Sequence, residues 1–98
     1  LYSRTRDFAS DFATALDQLD ECILLDIYPA REQPIPGVTS AMIAALMKHK
    51  NVTLTTKSEL LNVLKNKNLE VLMTMGAGDI DTMLEEIKHL MLNNAKTV

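Results

Sequence analysis

Two arginines near the start of the chain, Arg4 and Arg6, are the side chains best suited to bind an anion. A guanidinium group offers a planar pair of donors that matches a carboxylate or a phosphate. Arg4 lies just before the first predicted helix, where a ligand can reach it. Arg6 lies nearer the first turn and has an alternative partner in Asp7 or in solvent. The pattern therefore favours Arg4 over Arg6 as a ligand-binding residue.

A second group of polar side chains surrounds a proline-rich stretch, residues 27–38. Proline continues neither a helix nor a central strand, so the stretch predicts a loop. Its length is unusual for a strand-to-helix connection, and long ordered loops are often functional. Asp26, which ends the preceding apolar run, suits a metal or a ribose hydroxyl, but a hydrogen-bond acceptor that stabilises the loop fits equally well. The loop also carries Tyr28, Arg31 and Glu32.

A third candidate is the glycine turn Gly76–Asp79, which leads into the last predicted helix. Helix N-termini attract anions. The turn matches neither a P-loop nor a dinucleotide fingerprint, because it lacks the Gly-Lys-Ser/Thr ending and a third spaced glycine. Asp79 would also repel a phosphate. On its own, the turn indicates a tight structural feature.

No metal site and no catalytic nucleophile are predicted. His49 and His89 lie on predicted helices among polar residues, without a second ligand at suitable spacing, and are expected to be solvated. Ser3, Ser40 and Ser58 lack a neighbouring base, so helix capping explains them better. We therefore assign no catalytic residue within this chain.

Apolar periodicity and turn residues predict four helices and three short strands. The expected strands are Glu21–Asp26, Val52–Thr55 and Leu69–Met75. Thr5 or Asp7 would cap the first helix, Thr39 or Ser40 the second and Ser58 the third. The inward-facing residues expected on the four helices are, in chain order, Phe8, Phe12, Ala15, Leu16 and Leu19; Ile43, Leu46 and Met47; Leu60, Leu61 and Leu64; and Ile80, Met83, Leu84, Ile87, Leu90 and Met91.

The alternation of helices and strands predicts the fold class. It favours right-handed crossovers and parallel strands, so we expect an α/β, three-layer Rossmann-like domain with a mostly parallel sheet, spanning residues 1–98. Because the chain opens with a helix, one or more N-terminal strands are expected to be missing. Ligands bind beyond the carboxyl ends of such strands. That rule places residues 1–5, 26–37 and 74–79 at one edge.

Composition excludes several other classes. The net charge is -3 and no basic run occurs in the 98 residues, so neither nucleic acid nor an anionic membrane is an expected partner. No apolar run approaches the ~20 residues that span a bilayer. The single cysteine, Cys22, lies in an apolar run, and it predicts a buried side chain in a reducing compartment.

The three candidate segments resemble those of the Mur ligase family. Leu1–Asp7 resembles the family's basic motif Tyr-Ser/Thr-Arg-Thr-Arg-Asp, without the Gln-Pro-His that precedes it there. Asp26–Ser40 resembles the family's long loop and is the most specific match. Many members have Ala-Ala-Gly where this chain has Pro29–Arg31, so no role is carried over to Arg31. Gly76–Ile80 resembles a glycine turn near the family's C-terminus.

This resemblance implies a three-domain cytoplasmic ligase that uses ATP to join L-alanine to UDP-N-acetylmuramate in peptidoglycan synthesis. The chain would be the C-terminal domain, which closes over the site and holds the amino acid. ATP and Mg²⁺ would be bound mainly by a central domain that this sequence lacks. The implied substrate-binding residues are Tyr2, Arg4 and Arg6, and the implied site-loop residues are Asp26, Tyr28, Gly76 and Gly78. A truncated sheet edge is also expected to allow pairing with a second copy.

Three alternatives stay open at the level of sequence. Within the family, the ligase that recycles cell-wall tripeptide shares the fold but differs at the basic motif. A phosphoacceptor receiver domain would use Asp26, but its acidic pair and its lysine cannot be placed here. A non-catalytic α/β interaction module is a third possibility, which no binding signature supports.

Overall fold

The computed structural model describes residues 1–29, 31–49, 51–75 and 79–96. Its helices and strands are, in chain order, α1 (Tyr2–Leu16), β1 (Cys22–Leu25), α2 (Ser40–Leu46), β2 (Val52–Thr55), α3 (Leu60–Lys65), a 3-10 helix (Asp79–Met83) and α4 (Leu84–Lys96). The chain divides into two compact units, Leu1–Thr55 and Thr56–Val98. Each unit is described here by itself.

The first unit is built around a pair of parallel strands. β1 and β2 pair in register from Cys22 opposite Val52 to Leu25 opposite Thr55. The connection between them contains α2, which packs against both strands and against α1. Since parallel strands need such a crossover, the α/β class and the parallel pairing predicted from the sequence are confirmed.

The core of the first unit is formed by small and flexible side chains. One cluster contains Ala9 and Ala13 of α1, Cys22 of β1, Ile43 of α2, and Met47, which follows the last residue of α2. Burial raises the pKa of Cys22, because a thiolate would lose its hydration there. The prediction that Cys22 is a buried core residue is confirmed.

The predicted inward stripe of α1 is largely wrong. Phe8 is 50% exposed and Phe12 is 39% exposed, and Ala15 and Leu19 are exposed as well. Ala9 and Ala13 face α2 instead, because small side chains let two helices approach closely. Of the predicted residues, only Leu16 packs against the core. In α2, the predicted inward residue Leu46 is likewise exposed.

Helix α1 begins earlier than predicted and is kinked. It starts after Leu1, and Phe8 has non-helical dihedral angles (φ -123°, ψ 17°). Arg4 therefore lies within the helix and does not precede it. Thr5 is buried and its hydroxyl donates to the Leu1 carbonyl at 3.0 Å, so neither Thr5 nor Asp7 is the cap. Residues 2–7, ahead of the kink, are called the basic segment below.

In the second unit, α3 packs against α4. The buried residues there are Leu60 and Leu64 of α3, Met83 at the end of the 3-10 helix and Ile87 of α4. Leu84 was predicted to face inward but is exposed. Ser58 does not cap α3: the cap position is Glu59. The Ser58 hydroxyl shares a 3.0 Å hydrogen bond with the Thr56 hydroxyl.

The predicted strand Leu69–Met75 is wrong, since these residues form neither helix nor strand. Val71 is 83% exposed and Met73 is 72% exposed. A strand requires a hydrogen-bonded neighbour as well as an apolar sequence. Among the described residues, only β1 and β2 are paired.

At the amino ends of the strands, the Asp17 carboxylate holds the turn between α2 and β2. It accepts hydrogen bonds from the Lys48 N–H at 2.9 Å and from the His49 N–H at 3.4 Å. His49 is partly buried in this turn, with Nε2 4.0 Å from Asp17 Oδ1, so its predicted place on a solvated helix is wrong. Asp17 thereby ties the end of α1 to the start of β2.

Replacing Asp17 with alanine is expected to loosen this turn. The local free energy of opening should fall by about 1–2 kcal/mol, because the backbone N–H groups of Lys48 and His49 lose a charged acceptor. Native-state hydrogen exchange at the Lys48 and His49 amides measures the change. Asp11→Ala, which removes an exposed carboxylate from the same helix, is the matched control. If the Lys48 and His49 amides exchange at the same rate in the two variants, the Asp17 carboxylate does not hold this turn.

No helix in the described part of the chain is long and apolar enough to cross a membrane.

Candidate functional site

A cavity of about 200 Å³ lies beyond the carboxyl end of β1, within the first unit. It lies where the start of α1, the end of β1 and the start of α2 meet. Its lining residues are Tyr2, Asp26, Ile27, Val38, Thr39 and Ser40. This is the edge at which the sequence predicted ligand binding, and the structure brings two of the three predicted segments together there.

The walls of the cavity combine buried and accessible groups. Val38 and Ser40 are buried, whereas the side chains of Asp26 and Thr39 are exposed. A phenol, a carboxylate and two hydroxyls therefore surround a partly apolar space. Such a mixture suits a small polar molecule, because a few placed polar groups orient a ligand against apolar walls.

The turn before α2 sets the position of this wall. Gly37 has a φ of +79°, which side chains rarely tolerate. The Val38 N–H donates to the Ile35 carbonyl at 3.0 Å and closes the turn. Thr39 occupies the predicted cap position of α2, but without a side-chain cap hydrogen bond.

The two arginines differ in their surroundings. Arg6 Nε donates to Asp7 Oδ1 at 2.9 Å, and this contact raises the pKa of Arg6 and lowers the pKa of Asp7. The alternative partner predicted for Arg6 is thus confirmed. Arg4 is exposed, and its side chain makes no hydrogen bond or ion pair with any other residue that the structure describes. Of the two, Arg4 is the guanidinium left available for a ligand.

Glu32 joins the proline-rich loop to the start of α1. Its Oε1 accepts a hydrogen bond from the Ser3 N–H at 3.2 Å, across 29 positions of sequence. Hydrogen bonding from the Ser3 side chain and backbone lowers the pKa of Glu32. Sequence reasoning placed Glu32 in the loop without a role. A carboxylate is favoured at a helix N-terminus. Glu32 is far from the start of α1 in the sequence, however, so its contact with Ser3 could not be predicted.

Several predicted site residues lie outside the cavity lining. Neither Arg4 nor Arg6 is part of it, and Tyr28, which is 47% exposed, is not part of it either. Gly76 and Gly78 lie outside the described residues. The described residues contain no group of three His, Cys, Asp or Glu side chains that could hold a metal ion.

A parallel β-α-β unit with a cavity beyond its first strand is the binding arrangement of Rossmann-like α/β domains. No family model matches the chain. The chain is 53% identical over 91 residues to the UDP-N-acetylmuramate–L-alanine ligase of Parabacteroides distasonis, covering 93% of this chain and 20% of the relative. The ligase of Phocaeicola vulgatus is 54% identical over 92 residues, with the same coverage of both chains.

A more distant relative, the UDP-N-acetylmuramate–L-alanine ligase of Christiangramia forsetii, is 46% identical over 95 residues, or 97% of this chain and 21% of that protein. These matches confirm the resemblance found in the sequence: the chain belongs to the Mur ligase family. It corresponds to the C-terminal region of the UDP-N-acetylmuramate–L-alanine ligases. The chain spans about a fifth of the length of the curated relatives it matches.

Proposed function

We propose that this chain is the amino-acid-holding domain of a ligase that joins L-alanine to UDP-N-acetylmuramate at the expense of ATP. The observation that carries the proposal is the identity of 53% over 91 residues to a relative of that name. The names of the relatives favour L-alanine over the tripeptide substrate of the recycling ligase. The reaction belongs to peptidoglycan synthesis, and we place it in the cytoplasm.

The proposed reaction has two steps. The carboxylate of the sugar attacks the terminal phosphate of ATP, which gives an acyl phosphate and ADP. The amine of L-alanine then attacks the acyl carbon, and phosphate leaves as the amide forms. The acyl phosphate is prone to hydrolysis, so a domain that closes over it would accelerate the second step by excluding water and orienting the amine.

Within this scheme the chain contributes binding groups. Arg4 is proposed to pair with the carboxylate of L-alanine, with Tyr2 and Arg6 close by on the basic segment. Asp26 at the cavity and Tyr28 in the loop belong to the proposed site within the first unit. A fixed cation on the carboxylate leaves the amine of the same molecule free to react.

ATP and Mg²⁺ are assigned to other parts of the full-length enzyme. The sequence contains no P-loop, and the described residues offer no metal-binding group. In such ligases the metal would neutralise phosphate charge. The residues of this chain would serve the amino acid and the closure of the site.

The full-length protein tests the proposal directly. With UDP-N-acetylmuramate and ATP, it is expected to release ADP only when L-alanine is added, and mass spectrometry should detect the amide product. Glycine and a cell-wall tripeptide serve as competing acceptors. A preference for the tripeptide would overturn the assignment to L-alanine, and ADP release without any amide would overturn the ligase reaction.

A further inference from the structure

We propose that Glu32 is a positioning residue: its hydrogen bond to Ser3 fixes the basic segment, and with it Arg4, relative to the proline-rich loop. This inference rests on the proposed role of Arg4 in holding the amino acid. Glu32 itself is not proposed to touch the substrate.

The kink in α1 allows this hydrogen bond to position the basic segment. The helix beyond Phe8 is fixed by Ala9 and Ala13, which pack in the core. The non-helical dihedral angles at Phe8 separate that part from the basic segment. The angle of the basic segment therefore depends on its own contacts, and the hydrogen bond from Ser3 to Glu32 is one of them.

The loop end of the tether is itself held in place. The Glu32 N–H donates to the Pro29 carbonyl at 2.9 Å, which ties Glu32 to an earlier residue of the loop. Further along the loop, Val38 closes a second turn and lines the cavity. Because Glu32 is held in the loop, its hydrogen bond to Ser3 fixes the start of α1, which bears Arg4, relative to the loop.

The charge of Glu32 also suits this task. The start of a helix presents free N–H groups and a partial positive charge, so an anionic acceptor is favoured there. Because hydrogen bonding to Ser3 lowers the pKa of Glu32, the side chain stays ionised at every pH above the ordinary value of 4.5, and the contact loses its charge assistance only as the pH falls through the lowered value. The tether therefore holds throughout the neutral range.

Glu32→Ala in the full-length ligase is expected to raise KM for L-alanine roughly 10-fold, because a misplaced binding group costs affinity and alignment, while KM for ATP stays unchanged. Glu32→Gln keeps an oxygen acceptor and should recover most of the loss. Gln33→Ala, in the next and exposed position, is the matched control and should behave as wild type. If the KM values for L-alanine and for ATP rise by the same factor, the substitution damages the enzyme generally. That result would refute the positioning role of Glu32.

A double-mutant cycle tests whether Glu32 acts through Arg4. If it does, the double variant Glu32→Ala/Arg4→Ala should have a KM for L-alanine within about 2-fold of that of Arg4→Ala alone. The effects of substitutions at coupled residues are not additive. Full additivity would overturn the inference.

Hydrogen exchange without substrates separates this inference from the proposed function. The amides of residues 3–6 should exchange faster in Glu32→Ala than in Gln33→Ala. Unchanged exchange refutes the tether even if the ligase reaction is established. Faster exchange in a protein without ligase activity would support the tether while the proposed function fails.

Discussion

The 98-residue chain alone is expected to form no amide and to hydrolyse no ATP. It carries no P-loop, and its described residues contain no metal-binding cluster, so the phosphoryl transfer that creates the acyl phosphate has no site here. Without that intermediate, L-alanine has no activated carboxyl group to attack. The expected loss of turnover is complete, which makes this the largest effect that the account predicts.

Phosphate release from the purified chain, incubated with UDP-N-acetylmuramate, L-alanine and ATP, measures this directly. The full-length protein at the same molar concentration is the positive control. Circular dichroism of the isolated chain should accompany the assay, so that inactivity is read from a folded sample. Phosphate release above the background of a heat-inactivated sample would contradict the proposal that other parts of the full-length enzyme bind ATP and Mg²⁺.

Arg4→Ala in the full-length enzyme is expected to lower kcat/KM for L-alanine by roughly 10–100-fold. The estimate follows from a charge-assisted hydrogen bond, which contributes ~1.5–3 kcal/mol. The Arg4 side chain is exposed and makes no polar contact with other described residues, so its loss should leave the fold intact. Steady-state kinetics with L-alanine as the varied substrate is the measurement.

Two further variants sharpen the test of Arg4. Lysine at this position should restore only part of the activity, because an ammonium group lacks the planar fork. Arg31→Ala removes another exposed arginine, in the loop, and should change kcat/KM less than 2-fold. If Arg4→Ala has normal alanine kinetics, Arg4 is a solvated surface residue. If it loses activity only because it unfolds, its role is structural.

Local patterns in the sequence predicted the elements of the first unit well. An apolar run ending in Asp26 marked β1, and prolines marked the loop that follows it. Of the three residues predicted to face inward on the second helix, Ile43 and Met47 are buried, whereas Leu46 is exposed. These features depend on short stretches of chain, and the rule that ligands bind beyond the carboxyl ends of parallel strands then located the cavity.

Features that depend on distant partners were not predictable in this way. The large side chains Phe8 and Phe12 suggested the inward face of α1, but close packing against α2 selected Ala9 and Ala13. Similarly, the apolar character of residues 69–75 predicted a strand for which the described structure provides no hydrogen-bonded neighbour. The contact between Glu32 and Ser3 joins residues 29 positions apart, so no local sequence pattern could predict it.

The central claim is that this chain closes over the site and holds the amino acid. Hydrogen exchange of the full-length enzyme, with and without UDP-N-acetylmuramate, L-alanine and a non-hydrolysable ATP analogue, tests it most directly. The account predicts added protection in two stretches, the loop from Ile27 to Gly37 and the basic segment 2–7, when all three ligands are present. Surface amides of α4 serve as the internal control. Unchanged exchange in both stretches, with protection confined to the rest of the enzyme, would contradict the claim.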